Sequence, residues 1–162
     1  MPEDPRPILI CFDDSEPSRN AVAVAARLFP GSRAIVLHIW RSIESTAAYR
    51  YSAAGLTGAL REAMEELESA GREAAKAEAA KGVQLARDAG LETAALVVEA
   101  TDHSDATVAE QADRVDARLV VMGSRRLGAI QAMALGGFSA AALHRSTRPV
   151  LVVPFQAPHS AS

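Results

Sequence analysis

The chain has 162 residues, of which 49% are hydrophobic, and a formal net charge of −3. This length and apolar content are typical of one compact domain with a buried core, and a second independent domain is not expected. Lysine and arginine are scattered among aspartate and glutamate, so the basic face that binds a phosphate backbone is missing and nucleic acid is not an expected partner.

The cysteine content and the N-terminus indicate the compartment. Cys11 is the only cysteine, lies in an apolar run and has no intrachain partner, which predicts a buried, inert thiol in a reducing environment. The first seven residues, MPEDPRP, carry acids and prolines where a signal peptide has a basic and then an apolar region. Because no apolar run approaches the roughly 18 residues of a membrane span, we expect a cytoplasmic protein that does not enter a membrane.

The chain begins with a predicted strand and a capped helix. Residues 8–12 form a continuous apolar run rich in β-branched side chains, which predicts a buried strand. Ser15 is placed to cap the helix that follows, which continues to Leu28. A second apolar run at 34–40 predicts another strand, and residues 41–54 are expected to form an irregular loop.

The same alternation continues to the end of the chain. Apolar residues at helical spacing predict a long helix over 56–89, which Gly71 and Gly82 could interrupt. The remaining predicted strands are 93–100, 117–123 and 148–154, and the remaining helices begin near Ser104 and span 138–146. Apolar strands that alternate with amphipathic helices form a parallel sheet covered on both faces. The sequence therefore predicts one α/β, doubly wound, Rossmann-like domain of five strands over 1–162, with its core at about 7–154.

The carboxyl ends of the strands are the expected ligand-binding edge, because ligands of such sheets bind where the strand order reverses. Asp13, at the end of the first strand, is a candidate ligand contact. Asp14 and Ser15 are interpreted as partners of the free N–H groups at the start of the next helix.

Glycines after the fourth strand leave two interpretations open. A Walker A loop is excluded, because Ala129 and Ile130 stand where that motif requires Lys and then Ser or Thr. A glycine turn at Gly123, followed by Gly136 and Gly137 before the last helix, suits an anion at a helix N-terminus. The same glycines would also serve a purely structural turn.

These residues resemble the universal stress protein family over about 7–154. The resemblance lies in the aspartate-serine element after the first strand, a strand that ends in MGSR, and the terminal RPVLVVP. Nucleotide-binding members of that family carry Gly, two residues, Gly, nine residues, then Gly followed by Ser or Thr. Gly123 and Gly136 match the first and third glycines, whereas Arg126 replaces the second and Gly137 replaces the Ser or Thr.

The resemblance implies a strand order of 3-2-1-4-5 and an adenine nucleotide between strands 1 and 4. ATP is the favoured nucleotide, alone or with Mg²⁺. The implied binding residues are Asp13, Ile39, Met122, Gly123, Arg126, Gly136, Gly137, Phe138 and Ser139. Asp13 and Ile39 would line the adenine pocket, and the segment from Gly123 to Ser139 would follow the ribose and phosphates. The family also suggests an isologous homodimer through the last strand, from Val150 to Val153.

The resulting hypothesis is a stress-response protein that acts as a nucleotide-dependent regulator. No dedicated catalysis is expected, because Ser124 and Ser139 have no evident basic partner, although slow ATP hydrolysis is compatible with the family. The four histidines show no metal-ligand spacing, and His38 is interpreted as a hydrogen-bonded structural residue. Two alternatives are a dimeric interaction module with a decayed nucleotide site, favoured by Arg126 and Gly137, and a binder of another phosphorylated small molecule.

Overall fold

A computed structural model describes residues 4–42, 57–100, 104–125 and 144–155. Five parallel strands form one sheet in the order β3-β2-β1-β4-β5, so the predicted α/β class and strand order are confirmed. The strands are β1 (Ile8–Cys11), β2 (Arg33–Trp40), β3 (Glu92–Glu99), β4 (Leu119–Arg125) and β5 (Val150–Phe155), and the helices of the described ranges are α1 (Glu16–Leu28), α2 (Gly58–Asp88) and α3 (Ser104–Arg114).

Two predicted elements fall partly or mainly outside those ranges. The expected loop over 41–54 is described only at its first two residues, and the expected helix over 138–146 only from His144 onwards, where residues 144 and 145 are helical. The fourth strand differs from its prediction because it passes through Gly123 and ends at Arg125.

The core consists of two apolar layers, one on each face of the sheet. Helices α1 and α2 cover the first face, and α3 covers the second. The first layer includes Ile8, Ile10, Phe12, Val22, Val36 and Val83. The second includes Leu9, Leu37, Val108, Val120 and Met122. Successive side chains of a strand point to opposite faces, so strands covered on both faces must be apolar at almost every position. This requirement explains the continuous apolar runs of the sequence.

Helix α2 is continuous over 31 residues, and neither of its internal glycines interrupts it. Gly82 instead allows close packing on the sheet, because a Cβ atom there would lie 2.7 Å from Cδ1 of Phe12 and 2.8 Å from Cγ1 of Val36. Although α2 is long, neither it nor the other helices of the described ranges are apolar enough over a sufficient length to span a membrane.

The amino ends of β4 and β5 are joined by a group of ion pairs. The guanidinium of Arg148 lies 2.8 Å from a carboxylate oxygen of Asp113 and 2.7 Å from one of Asp116. It also donates to the carbonyl oxygen of Ala117. Thr147 donates to the same Asp113 carboxylate at 2.7 Å. These contacts fix the entry into β5 against the end of α3.

Candidate functional site at the carboxyl edge

The strand order reverses between β1 and β4, and their carboxyl ends therefore lie side by side. Ile10 is paired with Val121 in the parallel register of these two strands. Extending that register by three residues places Asp13 level with Ser124 and directly after the level of Gly123. On the other side of β1, Cys11 pairs with Leu37, so extending that register by two residues places Asp13 level with Ile39. The predicted residues Asp13, Ile39 and Gly123 are thus brought to one edge of the sheet.

The exposed carboxylate of Asp13 is held by Ser15, the residue directly before α1. Its Oδ1 atom accepts hydrogen bonds from the backbone N–H of Ser15, at 3.1 Å, and from the Ser15 hydroxyl. The backbone N–H of Asp13 donates to the Ser18 hydroxyl at 3.4 Å. A short loop closed by these bonds gives the carboxylate a fixed position at the edge, which is what a ligand contact requires.

Ser15 and Asp14 have different structural roles. Ser15 is the N-cap of α1 and accepts a hydrogen bond from the backbone N–H of Ser18, as predicted. The role predicted for Asp14, a partner of free N–H groups at the start of α1, is corrected. Its carboxylate forms ion pairs with Lys81 of α2, at 3.0 Å, and with Arg19 of α1. Lys81, followed by Arg19, lowers the pKa of the Asp14 carboxyl. Asp14 therefore ties the start of α1 to α2.

Gly123 is required by packing rather than by a turn, which corrects the predicted turn at this position. It lies inside β4, and a Cβ atom there would be 2.2 Å from the carbonyl oxygen of Pro17 and 2.3 Å from its carbonyl carbon. The first turn of α1 thus approaches β4 as closely as a bare backbone allows. The sequence showed a glycine at the end of an apolar run but not the helix that presses against it.

Met122 and Ile39 belong to the apolar layer beneath the edge. Met122 is 2% exposed and packs with Leu9, Leu37 and Val108, so its side chain belongs to the core. Ile39 is partly buried against the same layer and is the more accessible of the two. Together they provide an apolar floor on the side of the sheet that α3 covers.

Ser124 is a polar residue of this edge that sequence reasoning considered only as a nucleophile. Its side chain is buried, and its Oγ atom has no hydrogen-bond partner in the described part of the chain. A buried hydroxyl without a partner costs about 1–3 kcal/mol. The alternation of β4 gave a signal, because a serine two residues after the buried Met122 must occupy the same face.

His38 takes the structural role predicted for it, whereas Cys11 is partly rather than fully buried. Nδ1 of His38 lies 2.9 Å from the carbonyl oxygen of Phe12, which makes this nitrogen the donor. Burial raises the pKa of the Cys11 thiol to about 12, so the thiolate that would react with an electrophile does not form near neutral pH. Across the described ranges, no group of three or more histidine, cysteine, aspartate or glutamate side chains could hold a metal ion.

Five of the predicted binding residues lie outside the described residues. They are Arg126, Gly136, Gly137, Phe138 and Ser139. The part of the site that the structure describes is therefore the apolar floor, the Asp13 carboxylate, Gly123 and the Ser124 hydroxyl.

A model of the Universal stress protein family matches residues 5–154. The chain belongs to the universal stress protein family. A comparison with curated protein sequences gave no match. The family match covers four strands of this universal stress protein whole and β5 up to Pro154.

Solved structures share the fold of this universal stress protein at low sequence identity. The hypothetical protein MJ0577 is 20% identical, with a TM-score of 0.69 over 94% of this chain and 97% of its own. A universal stress protein from Archaeoglobus fulgidus in complex with dAMP is 16% identical, with a TM-score of 0.56 over 91% and 97%. A family member from Arabidopsis thaliana with AMP bound is 14% identical, with a TM-score of 0.60 over 97% of both chains.

Proposed function

We propose that this protein binds an adenine nucleotide, with ATP preferred, at the carboxyl edge between β1 and β4. The observation that carries the proposal is the reversal of strand order at this edge, with Asp13 on one side and Gly123 on the other. Related universal stress proteins bind AMP and dAMP, which supports adenine as the base.

Each group of the edge has a place in this proposal. The adenine ring packs on Ile39, the accessible part of the apolar floor above the buried Met122, and Asp13 accepts a hydrogen bond from the nucleotide. The Ser124 hydroxyl gains the partner that it lacks. The segment from Gly123 to Ser139 follows the ribose and phosphates, with backbone N–H groups at Gly136 and Gly137 and the guanidinium of Arg126 directed to phosphate.

Magnesium enters this proposal with the nucleotide. The described residues provide no metal cluster of their own, so Mg²⁺ would be held chiefly by the phosphate oxygens. Dedicated catalysis is not proposed, and slow ATP hydrolysis remains compatible with the site.

The wider role that we propose is a cytoplasmic, nucleotide-dependent regulator of a stress response that acts as a homodimer. β5 is the outermost strand of the sheet next to β4, and its residues Val150, Leu151 and Val152 are only half-buried. An apolar edge strand of this kind favours pairing with a second copy, here through Val150 to Val153.

A second candidate function is an interaction module whose nucleotide site has decayed. The observation that favours it is the contact between Gly123 and Pro17, because packing alone accounts for this glycine without a ligand. Arg126 and Gly137, which depart from the family motif, favour it as well. A different phosphorylated small molecule, bound by Arg125 and Arg126, is a further alternative.

Calorimetric titration with ATP and Mg²⁺ tests the proposal. We expect saturable heat and a rise in the midpoint of thermal unfolding, both stronger with ATP than with ADP, AMP, cAMP or inorganic phosphate. Absence of heat and of a thermal shift at millimolar ATP would support the decayed site, and a preference for another compound of the panel would support the third candidate. Native mass spectrometry of the purified protein adds a check, because a co-purified nucleotide would contradict the hypothesis that the nucleotide site has decayed.

A further inference from the structure

The N-terminal half of α2 projects beyond the sheet. At 1.5 Å per residue the helix is about 46 Å long, whereas the eight-residue strands β2 and β3 are about 26 Å long. Gly71 marks the level of the carboxyl edge, because a Cβ atom there would lie 3.4 Å from the ring of Trp40, the last residue of β2. Residues 58–70 therefore extend about 20 Å past that edge.

This projecting half carries an apolar stripe that is separate from the face packed on the sheet. The buried line of α2 passes through Ala75, Ala79, Gly82 and Ala86. About 100° around the helix from that line lies a second row, which we call the leucine stripe. It consists of Leu60, Ala63, Leu67, Ala70 and Ala74.

The leucine stripe is exposed at its two large residues. Leu60 is 47% exposed and Leu67 is 53% exposed. Leu60 and Leu67 lie seven residues apart within a row of alternating three- and four-residue spacing, with which a helix contacts a second helix. Apolar surface arranged in a row at this spacing indicates an interaction site rather than isolated exposed residues.

The charge around the leucine stripe selects the kind of partner. Glu62 and Glu66 border the stripe on the side away from the sheet, at helical positions about 80–120° from it. Of the four glutamates in residues 58–70 these two border the stripe, and the one arginine of the segment, Arg61, lies on another side of the helix, so the border is acidic. A second copy of this helix would bring acidic borders together, so a basic border is the complementary one.

We infer that the leucine stripe is a docking site for an amphipathic helix of a partner protein whose apolar seam is bordered by lysine or arginine. The partner's apolar side chains pack between Leu60 and Leu67, and its basic side chains pair with Glu62 and Glu66. Lys81, the ion-pair partner of Asp14, lies on the same row two turns after its last member, Ala74. The docked helix therefore lies on the side of α2 that faces the start of α1.

The inference is tested by fluorescence anisotropy with two labelled synthetic helical peptides of about 20 residues, a length sufficient for helix formation on a surface. Both peptides carry leucine at alternating three- and four-residue spacing; one has lysine at the flanking positions and the other has glutamate. We expect the lysine peptide to bind at least tenfold more tightly than the glutamate peptide, and its binding to weaken as salt concentration rises.

Matched variants distinguish peptide binding at the leucine stripe from non-specific apolar binding and from non-specific electrostatic attraction. Leu60→Ser combined with Leu67→Ser should weaken the lysine peptide at least tenfold, whereas Leu28→Ser, at a 53% exposed leucine of α1, should not. Glu66→Lys beside the stripe should weaken binding of the lysine peptide several-fold more than Glu65→Lys. Glu65 lies about 180° from the stripe on the same half-helix. Circular dichroism checks that each variant keeps its helix content.

Three binding results would overturn the inference. They are equal binding of the two peptides, equal effects of Glu65→Lys and Glu66→Lys, and unchanged binding in the double leucine variant. Sedimentation that shows the chain self-associating through Leu60 and Leu67 would also overturn it, because the occupant would then be a second copy. Nucleotide binding enters none of these measurements, so failure here leaves the proposed nucleotide site untouched.

Discussion

At the amino edge of the sheet, Arg148 pairs with Asp113 and Asp116, whereas at the carboxyl edge the Asp13 carboxylate is exposed and the Ser124 hydroxyl is buried without a partner among the described residues. At the amino edge Arg148 satisfies both carboxylates within the chain, although Nε of Arg118, directly before β4, is buried without a partner among the described residues. The carboxyl edge also contains internal contacts, since Asp13 accepts hydrogen bonds from Ser15 and Asp14 pairs with Lys81. In the proposed function, ligand binding uses the carboxyl edge, whereas the Arg148 ion pairs of the amino edge stabilise the fold.

The largest expected effect is on stability, at Gly123, where residues of the carboxyl edge pack against each other. Gly123→Ala places a Cβ atom against the Pro17 backbone, and we expect the free energy of unfolding to fall by about 3 kcal/mol because α1 must move away from β4. Urea denaturation measures this change. Gly58→Ala is the control, since a Cβ atom there meets nothing within 4 Å. Wild-type stability of Gly123→Ala would contradict the packing explanation.

The next largest effect is on nucleotide affinity. Asp13→Ala should weaken ATP binding tenfold or more, because it removes the fixed carboxylate of the edge. The matched variant Asp116→Ala removes a carboxylate from the amino edge and should leave the dissociation constant unchanged. Calorimetric titration of both variants measures the contrast. Equal effects of the two substitutions would mean that the edges do not differ in function.

Ser124→Ala should change stability and binding in opposite directions. Removing a buried hydroxyl without a partner should raise the free energy of unfolding of the ligand-free protein by up to about 1 kcal/mol. The same change should weaken ATP binding by up to about tenfold, because the nucleotide loses a hydrogen bond. Denaturation and calorimetry give the two values, with Ser69→Ala, an exposed serine of α2, as control. A loss of stability would show that Ser124 is satisfied within the chain.

The smallest expected effect is the pH dependence of stability, to which carboxyl groups at both edges contribute. Arg148, followed by Thr147, lowers the pKa of the Asp113 carboxyl, and Lys81, followed by Arg19, lowers that of Asp14. A carboxyl whose pKa is lower in the folded state stabilises the fold above its unfolded pKa, near 3.8, and loses that contribution as the pH falls through the folded value. The urea midpoint should stay level from about pH 7 to 5 and fall below about pH 4.

Two variants locate the source of that pH dependence. Asp113→Asn and Asp14→Asn should each make the acid-induced fall shallower, because each removes one carboxyl with a lowered pKa. A urea midpoint that rises on acidification would contradict the assignment of these ion pairs.

The sequence predicted the elements well because their signals are local. Continuous apolar runs are what a sheet covered on both faces requires, and the serine before α1 caps it as expected. The strand order came only from the family resemblance, since periodicity does not say which strands are neighbours. Asp13 is a candidate because it directly follows a buried strand, and ligands of such folds bind at that end.

The remaining features depend on contacts between distant parts of the chain. The Lys81 and Asp14 pair spans 67 residues, and no local pattern reveals it. Gly123 is explained only when Pro17 is seen against β4, and Ser124 is recognised as unsatisfied only when its burial is known. These contacts depend on tertiary packing, and the pattern of a single sequence does not show which distant residues pack together.

The most direct test of the difference between the edges is an NMR titration of the ¹⁵N-labelled protein with ATP and Mg²⁺. We predict that the largest amide shift changes will occur at Asp13, Ile39 and the segment from Gly123 to Arg125, with the amides of Asp113, Asp116 and Arg148 nearly unchanged. Absence of shift changes at millimolar ATP, or changes confined to the amino edge, would contradict a nucleotide site at the carboxyl edge.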